Sequence, residues 1–97
     1  MAKFHLTNKA VSDLADIWDY TYDTWSEKQA EKYYLLLLDS CQELAKTPSL
    51  GRKYDEITNE IIGYRSYQHI IFYRKMSNRD IEIVRILHVS MDLKNKI

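Results

Sequence analysis

The chain has 97 residues, a length that fits one domain with a core of modest size. Its 14 basic and 14 acidic residues cancel, which argues against a dedicated nucleic-acid-binding protein. A lone cysteine, Cys41, excludes an internal disulfide, and neither a secretory apolar segment nor a membrane-spanning apolar run is present in the sequence. We therefore expect a single cytoplasmic domain, residues 1–97.

The zero net charge conceals an uneven distribution along the chain. Residues 1–60 carry 7 basic and 11 acidic residues, a net charge of −4, whereas residues 61–97 carry 7 basic and 3 acidic residues, a net charge of +4. Two interpretations stay open. The acidic part is an ordinary solvated surface balanced elsewhere, or the C-terminal part forms a basic sheet face that receives an acidic partner.

The first predicted elements are a short strand over residues 3–6 and an amphipathic helix that Thr7 caps. Apolar residues then recur at helical spacing and predict one buried stripe, formed by Val11, Leu14, Ala15, Trp18, Tyr22 and Trp25. Four carboxylates lie on another side of this helix, at Asp13, Asp16, Asp19 and Asp23. No histidine or cysteine converges on them, so we interpret them as a solvated face rather than a metal site.

A second helix follows almost at once, because Ser26 and Gln29 form a capping box. Its predicted buried stripe contains Ala30, Tyr33, Tyr34, Leu37, Leu38, Cys41, Leu44 and Ala45. Cys41 lies inside the stripe, so we interpret it as a core residue rather than a nucleophile. The short link predicts an antiparallel helical hairpin, and Pro48 and Gly51 predict the loop that ends it.

Three strands are predicted in the rest of the chain, at residues 61–67, 69–76 and 80–88. Gly63 marks a bulge or a close backbone approach in the first of them, and residues 77–80 form a polar turn between the other two. The element order is β-α-α-β-β-β, an α+β fold with the helical hairpin on one face of the sheet.

The last two strands are apolar on both faces. With regular alternation, Ile70 and Phe72 oppose Ile71 and Tyr73, and Ile83 and Leu87 oppose Val84 and Ile86. The hairpin covers one face only, so we expect an uncovered face that bears arginines at Arg65, Arg74 and Arg85.

The sequence contains no phosphate-binding loop and no metal-ligand motif, so we expect no cofactor and no metal. A nuclease site would need a base, an acid and cations around one phosphate. The residue types for it are present at Arg65, Tyr73, Arg74, Arg85 and His88. However, Arg85 and His88 point to opposite faces of a regular strand unless a bulge intervenes, so we expect no catalytic residues.

Several separated motifs occur in an order typical of one family. The early ones are Leu6-Thr7, Ala10, Asp13-Leu14, Ile17-Trp18, Tyr20, Trp25, Gln29-Ala30, Tyr33, Leu44-Ala45, Pro48 and Gly51-Arg52. The most specific ones are Gly63-Tyr64-Arg65, residues 69–74, residues 85–88 and Met91-Asp92. With these motifs nearly the whole chain resembles a ParE toxin of bacterial type II toxin–antitoxin systems, within the RelE/ParE superfamily.

The resemblance implies two helices packed on a small, twisted, mostly antiparallel sheet. It also implies an antitoxin partner whose acidic, amphipathic C-terminal segment folds as it binds the toxin. The implied target is DNA gyrase, inhibited by binding, with no direct binding of nucleic acid by the toxin. The alternative is a RelE-like ribosome-dependent mRNA endonuclease. A pI near 6.8 and the absence of a basic and aromatic cluster in residues 88–92 disfavour it.

Under this resemblance we expect six residues to contact the antitoxin or the target: Arg65, Tyr73, Arg74, Arg85, His88 and Asp92. Arg74 and Arg85 would hold antitoxin carboxylates, and Asp92 would anchor the end of the chain. Only three residues separate Arg65 from His69, fewer than in many relatives, so Tyr67 and Gln68 are expected to form a tight turn. Val89 and Ser90 stand where many relatives carry a basic or polar pair.

Overall fold

Two helices pack on one face of a five-stranded sheet in a computed structural model that describes residues 2–54 and 60–91. The elements are β1 (Phe4–Leu6), α1 (Asn8–Thr24), α2 (Glu27–Lys46), a 3-10 turn (Pro48–Leu50), β2 (Arg52–Lys53), β3 (Ile62–Ser66), β4 (His69–Lys75) and β5 (Ile81–His88). The predicted β-α-α-β-β-β order is confirmed. Strand β2 was not predicted, because two residues are too short to show an alternating pattern.

The strand order across the sheet is β1-β5-β4-β3-β2. Strand β1 lies parallel to β5, and the other neighbours are antiparallel, so the sheet is mostly antiparallel as predicted. The pairing of β1 with β5 places the first and last strands of the described chain side by side, and the helical hairpin lies between them in sequence. None of the helices in the described ranges has the length and apolarity needed to cross a bilayer.

Both predicted helix caps are present. The Thr7 hydroxyl oxygen accepts a hydrogen bond from Ala10 N at 3.1 Å and donates its proton to Val84 O at 2.8 Å, so it joins α1 to β5. The Ser26 hydroxyl oxygen accepts from Gln29 N at 3.1 Å. A side-chain cap of this kind stabilises a helix by about 1 kcal/mol, which favours the abrupt reversal between α1 and α2.

The buried stripe of α2 is confirmed, but that of α1 is different from the prediction. Leu37, Cys41 and Leu44 are fully buried. In α1 the buried residues are Ala10, Asp13, Leu14, Ile17 and Thr21, whereas Val11, Tyr22 and Trp25 are 51%, 50% and 73% exposed. Because only hydrophobicity was considered for this helix, Tyr22 and Trp25 were predicted to be buried and the hydrogen-bonded Asp13 to be solvated.

A β-bulge in β5 changes which side chains face the helices. Phe72 pairs with Arg85 and Tyr73 pairs with Ile83, so Val84 is an extra residue in β5. Beyond a bulge the alternation is reversed. Accordingly Ile83 and Ile86 both join the core under the helices, and the prediction that they lie on opposite faces is wrong.

The sheet face opposite the helices is covered in its centre. Ile70, Phe72 and Leu87 are 6%, 0% and 2% exposed, and the Tyr54 ring packs edge-on against Phe72 with centroids 5.3 Å apart. Gly63 allows this, because a Cβ there would lie 2.3 Å from the Tyr54 ring. Of the two interpretations of Gly63, close approach is the one observed. The expected uncovered apolar face is therefore wrong for this central part.

Candidate partner-binding sites

Arg85 is tied to Asp13 by a two-point ion pair. Its Nε donates to Asp13 Oδ2 at 2.8 Å and its Nη2 to Asp13 Oδ1 at 2.9 Å, while Ile86 N donates to Oδ2 at 3.0 Å. The side chains are only 17% and 10% exposed, and the hydrogen bonds to Asp13 raise the pKa of Arg85 above its usual value. The solvated position predicted for Asp13 is wrong. Asp13 supplies the carboxylate that Arg85 was expected to take from an antitoxin.

Tyr73 lies in the core and not on a surface. It is 0% exposed, its hydroxyl donates to Pro48 O at 2.6 Å, and the same oxygen accepts from Gly51 N at 3.0 Å. Burial raises the pKa of this phenol. Tyr73 was expected to contact a partner, but its side chain is not accessible on the surface. Both of its hydrogen bonds hold the loop that follows α2.

The other two arginines that were expected to contact a partner do lie on the surface. Arg65 is exposed and its Nε donates to Tyr67 O at 3.0 Å, which braces the tight turn at Tyr67 and Gln68. Tyr67 has a φ of 59°, and the predicted turn is confirmed. Arg74 is also exposed and its Nε donates to Glu82 Oε1 at 2.7 Å. Asp92 lies outside the described residues.

A basic groove lies on the sheet face opposite the helices. It has a volume of about 410 Å³ and is lined by Leu50, Arg52, Tyr54, Gly63, Tyr64, Arg65, Ile70 and Val89. The Arg52 guanidinium stacks over the Tyr54 ring, 4.4 Å from its centroid. This described lining carries two cations and no carboxylate, so it favours an anionic and partly apolar ligand. Sequence reasoning missed Arg52, which only the pairing of β2 with β3 brings beside Arg65.

A larger cleft opens on the helix side of the same end of the sheet. We call it the acidic-aromatic cleft, and its volume is about 910 Å³. The residues that line it include Asp16, Tyr20, Trp25, Tyr33, His69 and His88. Trp25 and Tyr20 are 73% and 69% exposed. Trp25 was predicted to lie in the buried stripe, although its position just beyond the last turn of α1 was a signal against burial.

Two histidines meet inside this cleft. Their rings stack edge-on with centroids 5.3 Å apart, since the bulge turns His88 to the side of His69. His69 Nδ1 lies 2.7 Å from the Tyr33 hydroxyl, and Gln68 N donates to that hydroxyl at 3.2 Å. Burial, with a smaller contribution from His88, lowers the pKa of His69 to about 4. His69 is therefore neutral at pH 7.

The bulge also brings Arg85 and His88 into one cleft, which regular alternation would have prevented. The arrangement nevertheless suits phosphate chemistry poorly. Arg85 is the cleft's single Lys or Arg among the described residues, and its charge is balanced by Asp13. A neutral His69 supplies no proton to a leaving group at pH 7. Within residues 2–54 and 60–91, no three His, Cys, Asp or Glu side chains converge as a metal site would require.

Comparisons with known proteins agree along the length of the chain. The family model described as "ParE toxin of type II toxin-antitoxin system, parDE" matches residues 4–93. A protein named Toxin ParE1 from Mycobacterium tuberculosis is 36% identical, over 99% of this chain and 98% of its own length. Another Toxin ParE1, from Caulobacter vibrioides, is also 36% identical, over 97% of this chain and 96% of its own.

One solved structure extends the comparison to the fold. It is titled "Chromosomal ParDE TA system from P. aeruginosa", and its chain matches with a TM-score of 0.78 and 20% identity. The match covers 93% of this chain and 98% of that chain. At this identity the likeness concerns the fold, and it includes the helical hairpin and the sheet described above.

Proposed function

The chain belongs to the ParE toxin family of type II toxin–antitoxin systems, and we propose that it arrests growth by inhibiting DNA gyrase until a cognate antitoxin neutralises it. The observation that carries this proposal is the family match over residues 4–93. The toxin acts by binding and not by catalysis, in the cytoplasm where gyrase works. With a net charge of zero it does not bind nucleic acid directly.

The antitoxin binds at the basic groove. Its acidic, amphipathic segment places carboxylates against Arg52 and Arg65 and apolar side chains against Leu50 and Val89. Charge-assisted hydrogen bonds to a guanidinium contribute about 1.5–3 kcal/mol each where they are shielded from water. The basic character of residues 61–97 supports this assignment, because an acidic partner is attracted before contact is made.

The six expected contact residues divide into three groups. Arg65 and Arg74 are exposed and His88 is half-buried, and all three remain proposed contacts. For Arg74 a partner carboxylate takes the place of Glu82. Tyr73 and Arg85 act on binding only through the fold that they hold together. Asp92 remains a proposed contact on its sequence alone.

A paired assay tests the proposed target. Purified toxin is added to a gyrase supercoiling reaction and, separately, to a translating ribosome system read by primer extension. We expect loss of supercoiling and intact mRNA, and we expect the product of the neighbouring antitoxin gene to restore supercoiling. Ribosome-dependent cuts in mRNA with undisturbed supercoiling would contradict the proposal and favour the endonuclease alternative.

The antitoxin site is tested by charge reversal. Arg65→Glu places a carboxylate in the basic groove, so we expect the antitoxin to bind about tenfold or more weakly. Arg79→Glu is the matched control, because Arg79 is exposed at the tip of the β4–β5 hairpin and does not line the groove. Isothermal titration with the antitoxin measures both. If both variants lose the same affinity for the antitoxin, the loss comes from the change in net charge alone, and the groove is not the binding site.

A further inference from the structure

We propose that the acidic-aromatic cleft is a receptor for a basic, arginine-bearing segment of the protein on which this toxin acts. The preference of the cleft for a cationic side chain follows from its own residues. Only the identity of the partner rests on the proposed function, in which the target and the antitoxin are different proteins. The cleft lies on the helix side of the sheet, and the basic groove lies on the opposite face.

Two aromatic side chains are exposed inside the concavity of the cleft. Trp25 is 73% exposed and Tyr20 is 69% exposed, and both line the same cleft of about 910 Å³. Soluble domains rarely leave large aromatic side chains open within a hollow, and tryptophan and tyrosine are the residues that most often dominate binding surfaces. These two side chains are therefore best explained by a ligand that covers them.

The charged groups of the cleft favour a cationic ligand. Arg85 and Asp13 neutralise each other and His69 is neutral, so Asp16 is the remaining carboxylate in the described lining. No ion pair to Asp16 is found among the described residues. The surrounding hairpin, residues 8–46, carries eight acidic residues against four lysines. The field at the cleft therefore attracts cations and repels the acidic segment expected of an antitoxin.

The aromatic rings and the carboxylate of the cleft together suit a guanidinium group. A guanidinium is attracted to the face of an indole or phenol ring, and tryptophan gives the strongest such interaction. Asp16 and Tyr20 stand four residues apart on α1, so their side chains are neighbours on one helix face. An arginine in the cleft thus meets a carboxylate and aromatic faces together. Among the described lining residues a phosphate group would meet one guanidinium, that of Arg85, whose charge is balanced by Asp13.

The test uses the full chain and three short capped peptides that differ only at two positions, which carry arginine, citrulline or glutamate. Citrulline keeps the shape of arginine and removes its charge. Binding is followed by the indole N–H resonance of Trp25 in amide-resolved NMR and by titration. We expect the arginine peptide to shift that resonance and the other two peptides to leave it unchanged.

Matched variants locate the site. Trp25→Ala and Asp16→Asn are expected to weaken the binding of the arginine peptide by roughly 3- to 30-fold. Asp23→Asn is the control, because Asp23 is an exposed carboxylate of α1 outside the cleft lining, and it should bind like the parent chain. Equal binding of the citrulline peptide, preference for the glutamate peptide, or equal losses in Asp16→Asn and Asp23→Asn would overturn the proposal.

The supercoiling assay separates this inference from the proposed function. If the parent chain inhibits gyrase and Trp25→Ala and Asp16→Asn inhibit equally well, the cleft is not the target contact and the inference fails while the proposed function stands. If the parent chain leaves gyrase untouched but binds the arginine peptide at Trp25, the proposed target is wrong and the preference of the cleft for a basic segment is supported.

Discussion

Replacing Asp13 with alanine removes a carboxylate that accepts three hydrogen bonds, two from Arg85 and one from Ile86 N. Arg85 is then left as a largely buried cation without this partner, and the backbone of β5 loses its tie to α1. Breaking a buried ion pair on one side costs about 3–5 kcal/mol. Because Arg85 borders an open cleft, water relieves part of this cost, and we expect the free energy of unfolding to fall by about 3 kcal/mol.

Such a loss is large for a chain of this length, whose total stability is about 5–15 kcal/mol. It corresponds to a fall in melting temperature of roughly 12–24 °C. Urea denaturation, followed by tryptophan fluorescence, measures it. Asp19→Ala is the control, because Asp19 is an exposed carboxylate on the same helix and its removal should change stability by about 0.5 kcal/mol or less.

A double-mutant cycle separates the ion pair from other effects. Asp13→Leu combined with Arg85→Met removes both charges, so the double variant should be more stable than the sum of the single losses predicts, by about 2 kcal/mol. If Asp13→Ala costs no more than Asp19→Ala, or if the two single losses simply add, the ion pair does not hold α1 against β5 and our account of Arg85 is wrong.

Three further outcomes are expected. Because the pKa of His69 is lowered to about 4, the unfolded chain binds a proton at this residue below pH 6.5, whereas the native chain binds it only near pH 4. Stability should therefore fall by about 2 kcal/mol between pH 6.5 and pH 4, and His69→Phe should flatten this slope in urea denaturation at each pH. Tyr73→Phe should lower the free energy of unfolding by about 1–3 kcal/mol in the same measurement, because Pro48 O and Gly51 N lose their hydrogen-bond partner. The control Tyr67→Phe, at an exposed position, should leave the free energy of unfolding unchanged. Equal stability of the two variants would contradict this. Burial raises the pKa of the Cys41 thiol to about 12, so it should react with a disulfide reagent such as DTNB only after denaturation; rapid labelling of the native chain would disprove its core position.

Local signals predicted the elements well. The caps at Thr7 and Ser26, the helix periodicity after Ser26 and the polar turn before Ile81 each depend on a few neighbouring residues, and the structure contains all of them. The resemblance of the motifs then identified the family, because several separated motifs in a fixed order are specific to one family.

The site was less accessible to the same reasoning. Strand alternation assumes a regular strand, and one extra residue at Val84 reversed the sides of Ile86 and His88. Arg52 was not predicted as a site residue because the two-residue strand β2 carries no pattern, and Gly63, with which it pairs, follows more than ten positions later. The pairing of Asp13 with Arg85 joins positions 72 residues apart, so no spacing rule along one element indicates it.

The sequence by itself determined the helices, the main strands, the family and the uneven charge of the chain, because these depend on local propensity and on motifs. Only the tertiary structure decided which polar residues lie inside and which aromatic residues lie outside. The reason is that burial follows satisfied hydrogen bonds as well as hydrophobicity. Asp13 is buried because Arg85 and Ile86 donate hydrogen bonds to it. Trp25, at the C-terminal cap of α1, is 73% exposed in spite of its large apolar ring.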